Sequence, residues 1–194
     1  MKAGHLDHNI PAIHRKPAQH TRIFATIVSG VALMTLAAHT QIPFWPVPMT
    51  LHTMAVMAFA ITLGPRMASA ISVAYLGAGA AGLPVFSGTP ERGLGLAYMT
   101  GPTGGYLLGF LIASALTGWL ALGRGIVGRT LAMLAGLAVV YALGLLWLAQ
   151  FVPVGSVVEL GLAPFLPGDL AKISIVAIGA STIPPLLQRL RGRI

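Results

Sequence analysis

With 56% of its 194 residues hydrophobic and only 8% charged, the chain carries too few polar groups to clothe a soluble globule, so composition makes it an integral membrane protein. Its formal charge of +8 has no basic, aromatic-bearing soluble face to sit on, which excludes a nucleic-acid binder. Cysteine is absent, and with it disulfides, iron–sulfur clusters and thiol nucleophiles.

Residues 1–21 are polar and His-rich, with neither an apolar signal core nor a cleavage site, and read as a solvated cytoplasmic tail. The remainder, 22–194, reads as one all-α domain of six transmembrane helices, because a bilayer crossing takes about 20 apolar residues. The first crossing is expected over 23–40. "QIPFWPVPMT" follows, and its three prolines forbid a continuous helix, so a break or re-entrant turn packed inside protein is expected there. A short second crossing covers 51–63, "GPR" at 64–66 is a tight turn, and a third crossing runs from 67 to about 83. The stretch 84–100 carries Glu91 and Arg92 and is long for a connection, so it is expected to fold over one face. The last three crossings are expected at about 103–122, 131–151 and 166–190.

Basic residues in short flanks set orientation. With both termini in the cytoplasm, Lys2, Arg15, Lys16, Arg22, Arg66, Arg124, Arg129, Arg189, Arg191 and Arg193 all lie inside and only Arg92 lies outside. The positive charge is therefore a signal of topology in a cytoplasmic membrane, with Glu91, Glu159 and Asp169 toward the outer side.

Several motifs lead nowhere. "GAGAAG" at 77–82 satisfies the dinucleotide pattern G-x-G-x-x-G, but it ends an apolar span instead of following a strand, and close helix packing is its expected role. No phosphate loop exists, since the lysines are 2, 16 and 172 and none follows a glycine. The histidines at 5, 8, 14, 20, 39 and 52 are not in a metal-ligand spacing, and Ser29, Ser69 and Ser72 lack a carboxylate–histidine partner in helical register. Neither a metal, a cofactor nor an enzyme is expected.

Two constellations remain. In "GPTGGYLLGF", Gly101, Gly105 and Gly109 recur every fourth residue, a stripe that lets another backbone come close, while Tyr106 offers a ring and a hydroxyl near the outer level. In "PFLPGDLAK", Asp169 and Lys172 stand three positions apart at the head of an apolar segment. Asp169 alone reads as a helix N-cap. Lys172 does not fit so simply, because a cation in the first turn opposes the helix dipole and a lysine in a span needs a partner or a wet cavity. Spacing of i and i+3 puts the two on one face, either as a plain ion pair or as a pair facing a ligand cavity.

The succession "QIPFWPVPMTLHT", "LGPR", "GLPVFSG", "GPTGGYLLGF" and "PFLPGDLAK", spanning about 35–180, resembles the BioY family of biotin-specific substrate-binding subunits of energy-coupling-factor transporters. The resemblance implies a six-helix membrane protein that captures biotin from outside. It also implies partners: one membrane-embedded coupling subunit and two ATPases, which alone would use ATP. Carried over motif by motif, it nominates Asp169 and Lys172 as ligand contacts, Tyr106 as a pocket residue and Arg92 as a contact from the outer loop. His52 departs from the family, which commonly has Gln in "TLQT". Ala25 and Ser29 stand where the family's small residues meet the coupling subunit. Biotin needs apolar walls for its fused rings, partners for its ureido N–H and carbonyl groups, and a partner for its carboxylate. Asp169 and Lys172 suit the polar groups, and Tyr106 or Trp45 suits the rings. A solitary biotin carrier, an intramembrane enzyme and a structural scaffold remain as alternatives.

Overall fold

The computed structural model describes residues 17–42 and 45–191, with side chains from 20 to 182. The order of elements is α1 (Pro17–His39), a hairpin of β1 (Gln41–Ile42) and β2 (Met49–Thr50), α2 (His52–Ala80), α3 (Gly95–Met99), α4 (Gly104–Leu120), α5 (Ile126–Leu148), a 3-10 turn (Val154–Ser156), α6 (Val157–Gly161) and α7 (Leu166–Arg191). Helix α2 is kinked at Gly64, whose φ of 79° and ψ of 173° leave the helical region just before Pro65. Glycine tolerates that φ, and Pro65 cannot donate to the preceding turn. The expected "GPR" turn is this kink, and it divides α2 into arms of 52–63 and 65–80. With α1, α4, α5 and α7 they make six membrane-crossing segments among the described residues, the architecture expected.

Two boundaries differ from expectation for one reason. Helix α1 begins at Pro17, inside the segment read as a tail, and α5 begins at Ile126 instead of 131. A hydropathy window discards turns that carry Arg22 or Arg129, whereas a nucleated helix continues through a polar turn at little cost. The basic residues 2, 15, 16 and 193, and the histidines at 5, 8 and 14, lie outside the described residues.

The proline-rich break is a short antiparallel hairpin with Gln41 opposite Thr50 and Ile42 opposite Met49. Pro46, Val47 and Pro48 are buried, so the break packs inside protein as expected. Helix α4 is central, packed against both α5 and α2. Its glycine stripe is a seam with α5: a Cβ at Gly105 would overlap Trp147 and the Leu143 carbonyl, and one at Gly109 would lie 2.8 Å from Val140 Cα. Helix α5 reciprocates with Gly144, which makes room for the Tyr106 ring, and Gly136, which makes room for Thr117. Gly101 is not part of the seam. It precedes α4, and its carbonyl accepts the Trp147 indole N–H at 2.9 Å.

The expected helix packing at "GAGAAG" is instead a helix–loop contact, since Gly79 makes room for the ring of Phe86. That loop folds over the bundle end as expected. Phe86 stacks on Tyr98 (4.9 Å between centroids), the Tyr75 hydroxyl donates to Val85 O at 2.9 Å, and the Tyr98 hydroxyl donates to Ser87 O at 2.8 Å. Ser87 in turn donates to the Gln41 side chain, which ties the loop to the hairpin. Large apolar side chains such as Phe24, Trp119 and Leu146 stay exposed on the helix exteriors, a surface that suits lipid.

Candidate functional site

The hairpin, the outer loop, α2 and the outer parts of α4, α5 and α7 surround a cavity whose atom-free space, about 600 Å³, is partly open to solvent. Its walls include Val47, Leu107, Phe110 and Phe165, and its polar groups include those of Thr50, His52, Tyr106, Tyr141, Asp169 and Lys172. Such a mixture, apolar and aromatic walls with convergent polar groups, suits a small-molecule site.

Asp169 lies inside the first turn of α7, where its own amide already donates to Phe165 O at 2.9 Å. It is therefore not an N-cap, because the helix starts three residues earlier at Leu166. Its carboxylate is buried and doubly engaged: Oδ1 accepts from Lys172 Nζ at 2.9 Å and Oδ2 accepts from the Tyr141 hydroxyl at 2.6 Å. Lys172 also donates to the Thr50 carbonyl at 2.6 Å. The two side chains pair with each other and both line the cavity. Neutralising the lysine this way removes most of the penalty of a cation near the positive end of a helix. A carboxylate has about four acceptor sites and an ammonium three donors, so each keeps capacity for a ligand.

Tyr106 is buried against the same cavity, its hydroxyl donating to Gly161 O at 2.7 Å. Trp45 and Arg92 lie apart from this group. They line a neighbouring, more open cavity with Gly101 and Pro102, which adjoins the first through Tyr98 and Thr103. Arg92 Nη1 donates to the Pro46 carbonyl at 3.3 Å, and Trp45 is 71% exposed. Burial pushes the Tyr98 phenol above its ordinary pKa, so between the two cavities it is a neutral hydrogen-bonding group. Ala25 and Ser29 are exposed on α1, far along the chain from the cavity-lining residues.

Residues 11–189 match the model of the BioY family. The chain belongs to the BioY family. Among BioY relatives, "Probable biotin transporter BioY" of Pyrococcus horikoshii is 38% identical over 162 residues, covering 84% of this chain and 91% of the relative. "Biotin transporter BioY" of Thermotoga maritima is 36% identical over 157 residues, covering 80% and 91% respectively. In three dimensions the chain is similar to the crystal structure of the S-component for biotin from an ECF-type ABC transporter, with a TM-score of 0.73, 25% identity, and coverage of 91% of this chain and 94% of that one. The relatives are named as transporters, not enzymes.

Two members of the site escaped sequence reasoning in this BioY chain. Tyr141 is a lone hydroxyl within the apolar run "LAVVYALG", 28 residues from the carboxylate it serves, and no local pattern singles it out. The Thr50 carbonyl acts through backbone, so no side chain announces it. The signal available was the polar atom itself: a tyrosine inside a crossing has to place its hydroxyl against an acceptor.

Proposed function

We propose that this chain binds biotin in the cavity at the hairpin end of the bundle and is the substrate-binding component of an energy-coupling-factor transporter. The buried Asp169–Lys172–Tyr141 cluster within an apolar cavity carries the reading. Three polar groups converge there on a space with aromatic walls, in a fold shared with a biotin S-component. Asp169 accepts ureido N–H groups, Lys172 donates to a ligand oxygen, and Tyr106 supplies an apolar face. Arg92 and Trp45 form the vestibule through which the ligand enters, with Arg92 drawing in its carboxylate.

The chain sits in the cytoplasmic membrane with both termini and the Gly64 kink inside and the cavity facing out. Arg22, Arg66, Arg124 and Arg129 flank the bundle end opposite the cavity, in keeping with this orientation. Uptake uses a coupling membrane subunit and two ATPases as partners, with Ala25 and Ser29 on the exposed face of α1 as the contact. Calorimetry of biotin with the purified chain in detergent tests the reading. Saturable one-to-one binding is expected, and its absence would refute the proposal.

A further inference from the structure

One buried polar atom of a cavity-lining residue has no partner among the described residues. His52 opens α2, is 4% exposed and lines the cavity, yet no described residue hydrogen-bonds its buried Nε2. Its ring is held on two sides: it stacks on Phe110 with centroids 4.4 Å apart and planes at 25°, and it meets Tyr75 edge-on at 5.0 Å. Its backbone is held as well, the amide donating to Thr50 Oγ1 at 3.2 Å. The carbonyl of that same Thr50 accepts from Lys172, so the imidazole and the Asp169–Lys172 pair are tied to one short piece of backbone. Stacking explains an aromatic ring at this position, and a phenylalanine would stack equally well. It does not explain a nitrogen, because a buried polar atom left without a partner opposes folding.

We infer that His52 contacts the ligand directly, its Nε2 hydrogen-bonding the ureido group of the fused rings beside Asp169; this rests on the reading that the ligand is biotin. The neighbourhood selects the ureido group over the carboxylate. His52's ring contacts are aromatic and uncharged, which suits a flat ring system with neutral hydrogen-bonding groups. A carboxylate calls for a cation with charge to spare, and Lys172 is already paired with Asp169. An imidazole nitrogen is a donor in one tautomer and an acceptor in the other, and the ureido group offers both complements. Held rigidly, it adds selectivity for a ring bearing heteroatoms at that point, since an analogue without them leaves Nε2 buried and unpaired.

The experiment measures affinities of biotin and biotin methyl ester for the wild-type chain, His52→Phe and His52→Gln in detergent. His52→Phe keeps the ring and removes both nitrogens, and is expected to weaken biotin by about tenfold or more. His52→Gln keeps a donor and an acceptor, and is expected to stay within about threefold of wild type. The loss in His52→Phe is expected to be equal for biotin and its ester, because the tail is not the group contacted. Full affinity in His52→Phe overturns the inference while leaving the functional reading in place. So does an equal loss in both variants, which assigns the effect to ring shape, or a loss that vanishes with the ester, which assigns it to the carboxylate. Absence of biotin binding to the wild type overturns the reading and the inference together.

A second measurement needs no altered protein for the binding step. In 15N-histidine-labelled wild type, biotin is expected to move the Nε2 resonance of His52, identified by its absence from the His52→Gln spectrum. An unmoved resonance under saturating biotin sinks the inference even where His52→Phe fails to fold.

Discussion

Asp169 sits at the junction of three roles, pairing Lys172, accepting from Tyr141 and facing the cavity, so its neighbours are separable by what each removal leaves behind. Lys172→Ala removes a charged donor and strands a buried carboxylate. Biotin affinity is expected to fall by about 2 kcal/mol or more, read by calorimetry on protein of unchanged helicity. Tyr141→Phe removes a single neutral donor while the ion pair survives, and a smaller loss of about 1 kcal/mol is expected in the same assay. Wild-type affinity in Lys172→Ala would reduce the pair to a structural bridge. A larger loss in Tyr141→Phe than in Lys172→Ala would make the tyrosine the principal anchor.

At the scale of elements, the α4–α5 seam decides where Tyr106 and Tyr141 stand. Gly105, Gly109, Gly136 and Gly144 allow the two backbones to approach, and Tyr106 rests in the space that Gly144 leaves. Hydrophobic collapse does not hold helices together in lipid, so close packing at small residues carries that load. Gly109→Leu forces a side chain into Val140 backbone. It is expected to destabilise the protein by about 3 kcal/mol, seen as a lowered melting temperature in detergent, with biotin affinity lost alongside. Gly77→Leu is the control, because nothing lies within 4 Å of its would-be Cβ, and it should melt like wild type. Equal melting of the two variants would show that the seam is not tight in the folded protein.

For the whole molecule, orientation and coupling are the open quantities. Glu91 is exposed on the outer loop and Gly125 is exposed at the opposite end of the bundle. With no native cysteine as background, Glu91→Cys is expected to react with a membrane-impermeant thiol reagent outside intact cells and Gly125→Cys is not. The reverse labelling would turn the cavity to the cytoplasm. Coupling is tested on α1, where Ala25→Leu with Ser29→Leu places bulk on an exposed face without touching the cavity walls. Biotin is expected to bind the double variant normally, while capture of the coupling subunit and ATP-dependent uptake are lost together. Uptake that survives both substitutions would move the contact elsewhere, and wild-type uptake that is equal with and without the ATPase module would favour a solitary carrier.

Local composition by itself determined that this chain spans a membrane, that a proline-rich break follows α1 and that Gly64–Pro65 interrupts α2. Each of these depends on residues adjacent in the chain: apolar runs long enough to cross a bilayer, or backbones that cannot continue a helix. It also marked Asp169 and Lys172, because a lysine three residues from an aspartate inside a span is anomalous wherever it occurs. Only the tertiary structure decided that Asp169 is no cap, that Tyr141 and the Thr50 carbonyl complete the pair, and that Arg92 and Trp45 line a neighbouring cavity. It likewise decided that His52 lines the cavity while its buried Nε2 has no partner among the described residues. The physical reason is distance along the chain: Thr50 lies 122 residues from Lys172, and Tyr141 lies 28 from Asp169. Helix periodicity orders neighbours three and four residues apart, whereas which faces meet is settled by glycines and rings fitting together across helices.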